Sequence, residues 1–72
     1  MFGIDRAVVE RLKERYPVGT RVVLDYMDDI HAPPSGTGGT VIYVDDIGTV
    51  HVKWDNGSSL GLAYGEDRFH KE

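Results

Sequence analysis

Thr49-Val50-His51-Val52-Lys53-Trp54-Asp55-Asn56-Gly57-Ser58 is the stretch that decides the fold class. From Thr49 to Trp54 the residues alternate, with Val50, Val52 and Trp54 on one side and Thr49, His51 and Lys53 on the other. A period of two is that of a strand with one buried face. Asn56-Gly57 then predicts a two-residue type I′ hairpin, in which both central residues take positive φ. Val50 and Val52 fall in the core. Trp54 shares their parity but ends the strand, so it is expected to be partly buried with its indole edge exposed.

The same period extends outward in both directions. Arg21 to Tyr26 places Val22 and Leu24 on one face, and Thr40 to Val44 is rich in β-branched residues. Ser58 to Leu62 sets Leu60 and Leu62 together, and Asp67 to Phe69 suits a short last strand. Asp45-Asp46-Ile47-Gly48 is a second tight turn, with Asp capping the backbone and Gly supplying positive φ. The expected core is Val22, Leu24, Val41, Val50, Val52, Leu60 and Leu62. Ile42, Tyr43 and Val44 cannot be assigned a face, because both parities there are apolar.

Ahead of the strands, Ile4, Val8, Leu12 and Tyr16 recur every four residues among charged ones, the pattern of an amphipathic helix. Asp5 is a candidate N-cap, and Pro17 ends the helix. Three turns are too short to stand alone in water, so Ile4, Val8 and Leu12 are expected to dock on the strands. The resulting organisation is a helical segment, residues 1–18, packed on a small five-stranded SH3-like β-barrel, residues 19–72. No internal repeat or linker is evident.

The chain has 72 residues, twelve Asp and Glu against eight Lys and Arg, and no cysteine. One small domain with a small core follows. A chain without cysteine forms neither disulfides nor thiolate metal sites, which favours a reducing, cytoplasmic setting. Met1 to Arg15 is charged and reads as neither a signal peptide nor a membrane span. Four of the cations lie in Arg6 to Arg15. The remainder holds four cations against nine acids, so the barrel is acidic and ill suited to a phosphate backbone.

Catalytic and metal chemistry find little support. His31, His51 and His70 lack ligand spacing, and Ser58 or Ser59 has no nucleophile elbow. Gly36 to Thr40 lacks the lysine and following helix of a phosphate loop. No metal, cofactor or catalytic residue is therefore expected.

Several stretches carry a resemblance. They are Tyr16-Pro17-x-Gly19-Thr20-Arg21-Val22, Met27-Asp28-Asp29, Pro33-Pro34-x-Gly36-Thr37-x-Gly39-Thr40-Val41, Val44-Asp45-Asp46-x-Gly48-Thr49 and Val52-x-Trp54-Asp55-Asn56-Gly57-Ser58-Ser59-Leu60. Over about three-quarters of its length, the chain resembles an uncharacterised family of small bacterial proteins, domain of unknown function 4314. Members typical of phages and conjugative elements imply a mobile-element protein acting on a host protein. A second resemblance is to the mind bomb-type domain of large ubiquitin ligases, an SH3-like barrel that recognises peptide segments. Gly19, Arg21, Val22, Gly39, Thr40, Val41, Val52, Trp54, Asp55, Asn56 and Gly57 fit its frame. The tryptophans that family carries before Gly-Thr-Val are replaced here by Asp25 to Asp29.

Met27 to Gly39 is long for a connection in so small a domain, and such loops are often functional. By analogy with peptide-binding SH3-like barrels, it faces the link from Ala63 to Glu66. Met27, Asp28, Asp29, Pro34 and Tyr64, with Trp54 at the edge, are therefore the expected binding residues. Aromatics beside acids suit a basic or proline-containing peptide. A non-enzymatic module for a protein or peptide is the leading expectation. The alternative is a nucleic-acid accessory protein of the KOW barrel type.

Overall fold

The computed structural model describes residues 5–63 and 65–72. One helix, α1 (Arg6–Arg15), precedes five strands: β1 (Arg21–Tyr26), β2 (Gly38–Val44), β3 (Thr49–Trp54), β4 (Leu62–Ala63) and β5 (Arg68–Lys71). All pairings are antiparallel, in the order β4-β3-β2-β1-β5. A flat sheet would hold β4 and β5 roughly 19 Å apart. Instead the N–H groups of Glu66 and Asp67 both donate to the Ala63 carbonyl at 3.1 Å, and Asp67 Oδ2 accepts from Ala63 N–H at 2.7 Å. The two edges meet at a corner without pairing, so the sheet is a curled, unclosed barrel.

Alternation placed β1 and β3 correctly. Val22, Leu24, Val41, Val50, Val52 and Leu62 are each 1% exposed or less, while Leu60 is only half-buried against them. A bulge between Val41 and Tyr43 resolves the unassigned stretch. The extra residue turns Ile42 and Tyr43 both outward and returns Val44 to the core.

Trp54 departs from expectation. It is 1% exposed, and its Nε1 donates to the Leu60 carbonyl at 2.9 Å. This bond holds the chain from Ser58 to Gly61 over the indole, which is why the expected strand from Ser58 shrinks to Leu62–Ala63. Gly39 makes room for the ring: a Cβ there would stand 2.7 Å from Trp54 Cε3 and 2.5 Å from Val52 Cγ1.

The Asn56-Gly57 turn is not type I′. Asn56 lacks positive φ, and only Gly57 adopts it, at 92°. Gly57 N–H donates to Trp54 O and Trp54 N–H to Ser58 O, closing a three-residue loop. The Asp45–Thr49 turn repeats this geometry, with Gly48 at φ 85°.

A short repeat also emerges. In Pro17-Val18-Gly19-Thr20 and Pro34-Ser35-Gly36-Thr37, the Thr N–H and hydroxyl both donate to the Pro carbonyl. Gly19 N–H donates to Val41 O and Val41 N–H to Thr20 O; Gly36 N–H donates to Leu24 O and Leu24 N–H to Thr37 O. The Pro, Gly and Thr move forward by seventeen residues while their partner moves back by seventeen, from Val41 to Leu24, so a local two-fold relates the ends of the β1–β2 ladder.

Asp5 caps α1, its carboxylate accepting from Ala7 N–H at 2.8 Å. Val9, Leu12 and Tyr16 are buried, and Val8 is half-buried against the core. A strict four-residue stripe drifts by about 40° per step around a helix with 3.6 residues per turn. The docked face therefore takes in Val9, which that stripe left out. Ile4 lies outside the described residues.

Candidate functional site

Most of the motif residues behind the resemblances hold the fold. Arg21 reaches across β2 to grip Asp55 with two bonds, Nη1 to Oδ1 at 2.9 Å and Nη2 to Oδ2 at 2.6 Å. It also donates to Thr40 Oγ1 at 3.0 Å and meets Glu72 at 3.3 Å. Gly38 lies under this strap, where a Cβ would stand 2.7 Å from Arg21 Nη2. The hydrogen bond from Arg21 holds the Asp55 carboxyl below its ordinary range against a smaller opposing effect of burial. The same bonds from Asp55 and then Glu72 keep the guanidinium protonated. Gly39, Val22, Val41, Val52 and Trp54 are core or core-lining, and Gly57 makes the turn. This shared string thus encodes a barrel and identifies no ligand.

Among the described residues, two His–Asp pairs are present. His51 Nε2 lies 2.8 Å from Asp45 Oδ2, and its ring stacks on Tyr43 with centroids 4.2 Å apart. Asp45 Oδ1 accepts from the N–H groups of Ile47 and Thr49. Burial is the largest influence on the Asp45 carboxyl and raises it. The bonds from His51, Thr49 and Ile47 together outweigh burial and hold the carboxyl below its ordinary value. Asp45 is thus a turn cap, as expected, and His51 is half-buried. His70 Nδ1 lies 2.9 Å from Asp25 Oδ2, across the β1–β5 pairing. Ser58 Oγ accepts from Leu60 N–H rather than meeting either histidine. Among the described residues, no three His, Asp or Glu gather as a metal site.

The expected binding residues are not one patch. Trp54 is buried and leaves the list. Tyr64 lies outside the described residues. Met27 is half-buried against the core, so it anchors the loop instead of lining a surface. Asp28, Asp29 and Pro34 are exposed. Between them stands a residue the sequence reading passed over, Ile30, 93% exposed. Its sequence signal was a lone aliphatic between acids and prolines, where no alternation gives it a core to enter.

The loop is well fixed beneath Ile30. Ser35 Oγ donates to Asp25 O at 2.6 Å, and Pro33 is buried. Asp29 Oδ1 accepts from His31 N–H at 2.7 Å, and Ala32 N–H donates to Asp29 O. Among the described residues, neither Asp28 nor Asp29 meets a cation within 4 Å.

The described part of the β4–β5 link lies beside α1. Gly65 and Asp67, with Leu12, Arg15, Tyr16, Arg68 and Phe69, line a groove of about 300 Å³. Tyr16 and Phe69 form its aromatic floor, with ring centroids 5.1 Å apart. Arg15 lies 5.8 Å and Lys71 5.5 Å from the Tyr16 ring centroid. Among the described residues, Arg15, Arg68 and Lys71 form no ion pair. Nothing local in the sequence could show this cluster, because its two halves lie some fifty positions apart.

No described helix is long and apolar enough to cross a membrane. A family model described as Domain of unknown function (DUF4314) matches residues 5–72. No curated protein and no solved structure gives a significant match to the chain.

Proposed function

The chain belongs to the DUF4314 family, and from that premise we propose that it is a small non-enzymatic module that binds a protein or peptide through the loop between β1 and β2. The observation that carries this reading is Ile30, held 93% exposed between Asp29 and the rigid turn that follows. A single exposed aliphatic is ordinary on a surface. Ile30 differs because its loop is tied at the base by Ser35 to Asp25 and anchored by Met27 and Pro33. Ordering costs on binding are therefore small. The partner surface that fits it is an apolar recess rimmed by cations, which would receive Ile30 and pair with Asp28 and Asp29. A cytoplasmic protein of a phage or mobile element acting on a host protein is the setting this reading takes.

Affinity capture from a bacterial lysate tests it, with the wild type and Asp28→Ala/Asp29→Ala as parallel baits. A protein retained by the wild type and lost from the folded variant supports the loop as the site. Equal capture by both moves the site elsewhere, and recovery of nucleic acid in place of protein favours the KOW-type alternative.

A further inference from the structure

We infer that the groove between α1 and β5 receives the Asp28-Asp29-Ile30 loop of a second copy of this chain, giving a two-fold dimer with two reciprocal loop-in-groove contacts. The inference rests on the loop being a docking element, as proposed above. The loop calls for an apolar recess with a basic rim, and this chain carries one. Leu12, Tyr16 and Phe69 supply the apolar floor, and Arg15, Arg68 and Lys71 the cations. The one carboxylate in the groove, Asp67, is engaged by Ala63 N–H. Within a single chain the fit is not made, since Ile30 is 93% exposed and no loop residue lines the groove.

The symmetry follows from the register. Tyr26, at the root of the loop, pairs with Arg68 on the groove's rim. Knob and recess thus lie at the same end of the molecule, where a two-fold axis can satisfy both at once. An isologous contact of this kind closes on itself and stops at two copies. Its area is small, which places it among weak, concentration-dependent contacts.

Sedimentation velocity over rising concentrations tests the dimer, using wild type, Arg68→Glu and Asp28→Lys/Asp29→Lys. All three altered residues are exposed, and the one bond removed, from His31 N–H to Asp29, lies within the loop and not in the strands, so the fold tolerates the changes. The wild type is expected to pass from one to two copies. Each variant alone should dimerise at least about tenfold more weakly, because like charges then face each other. Mixing the two variants should restore the dimer in part, since the unaltered loop meets the unaltered groove and the lysine-bearing loop meets Glu in place of Arg68. A wild type that stays monomeric throughout, or a dimer indifferent to both variants, overturns the inference. The lysate capture reports separately on the loop: partner loss from Asp28→Ala/Asp29→Ala with a monomeric wild type sinks the dimer and leaves the binding-module reading standing.

Discussion

Gly38 and Gly39 are neighbours on β2 that face opposite sides of the sheet, and replacing each with alanine should give very different results. At Gly39 the new methyl would meet Val52 Cγ1 at 2.5 Å, Trp54 Cε3 at 2.7 Å and the Lys53 carbonyl at 3.2 Å. Val52 and Trp54 are both fully buried, so neither can withdraw without disturbing the core. Overpacking of this kind typically costs about 1–3 kcal/mol, and the rigid indole puts Gly39→Ala at about 2 kcal/mol or more. A domain of this length has roughly 4–11 kcal/mol in total. A loss of about 2 kcal/mol would lower the melting temperature by roughly 8–16 °C. At Gly38 the methyl would meet the far ends of Arg21 and Asp55, which are partly solvated and can swing aside. A solvated surface ion pair adds little to stability, and alanine in a strand regains about 0.5–1 kcal/mol over glycine. Gly38→Ala should therefore melt within a few degrees of the wild type. Thermal unfolding by circular dichroism measures both. If Gly39→Ala melts as high as Gly38→Ala, the close approach of β2 to Trp54 does not exist as described.

Leu12→Ala should destabilise the whole domain by about 2–5 kcal/mol, because Leu12 belongs to the barrel core; an unchanged denaturant midpoint would detach α1 from that core. Trp54→Phe leaves the part-buried Leu60 carbonyl without its donor, at a cost of about 1 kcal/mol or more, and hydrogen exchange should quicken first between Ser58 and Gly61. The folded Asp45 carboxyl lies below its ordinary value, so its contribution is present above that value and lost as pH falls through the folded one. Melts from pH 7 down to pH 2 should accordingly show a shallower acid loss for Asp45→Asn than for the wild type. Duplex DNA should not shift in a gel at physiological salt; a shift abolished by Arg11→Ala/Arg15→Ala would revive the nucleic-acid reading.

The sequence made β1 and β3 legible because each buries one face, and a period of two survives translation into structure unchanged. It left Ile42 to Val44 open because an extra residue shifts parity there, and an apolar residue at every position hides the shift. Trp54 was misjudged because its cover comes from Ser58 to Gly61, a segment read as a strand that instead follows the indole N–H. Asp45 was readable as a turn cap from its place before Gly48. Its bond to His51 needed the hairpin's register, which a three-residue loop sets differently from the two-residue one assumed for its neighbour. The groove needed α1 docked beside β5, a relation between chain ends that no local pattern carries. In the loop, length and composition drew attention to the acids and passed over the exposed Ile30.

The clamp at the base of the β1–β2 loop has an evolutionary consequence. Asp28 to Ala32 lie beyond the last ladder bonds, and the backbone bonds within that segment do not reach the strands. Met27 and Pro33 hold its two ends to the body of the domain, whatever stands between them. Substitutions in those five positions escape the selection that folding imposes on Gly39 or Trp54. A lineage under pressure to change partners could rewrite this segment in single steps while every intermediate kept its melting temperature. Variation among relatives should then concentrate at Ile30 to Ala32, just past the shared Met27-Asp28-Asp29 string, with the two Pro-x-Gly-Thr turns standing still on either side.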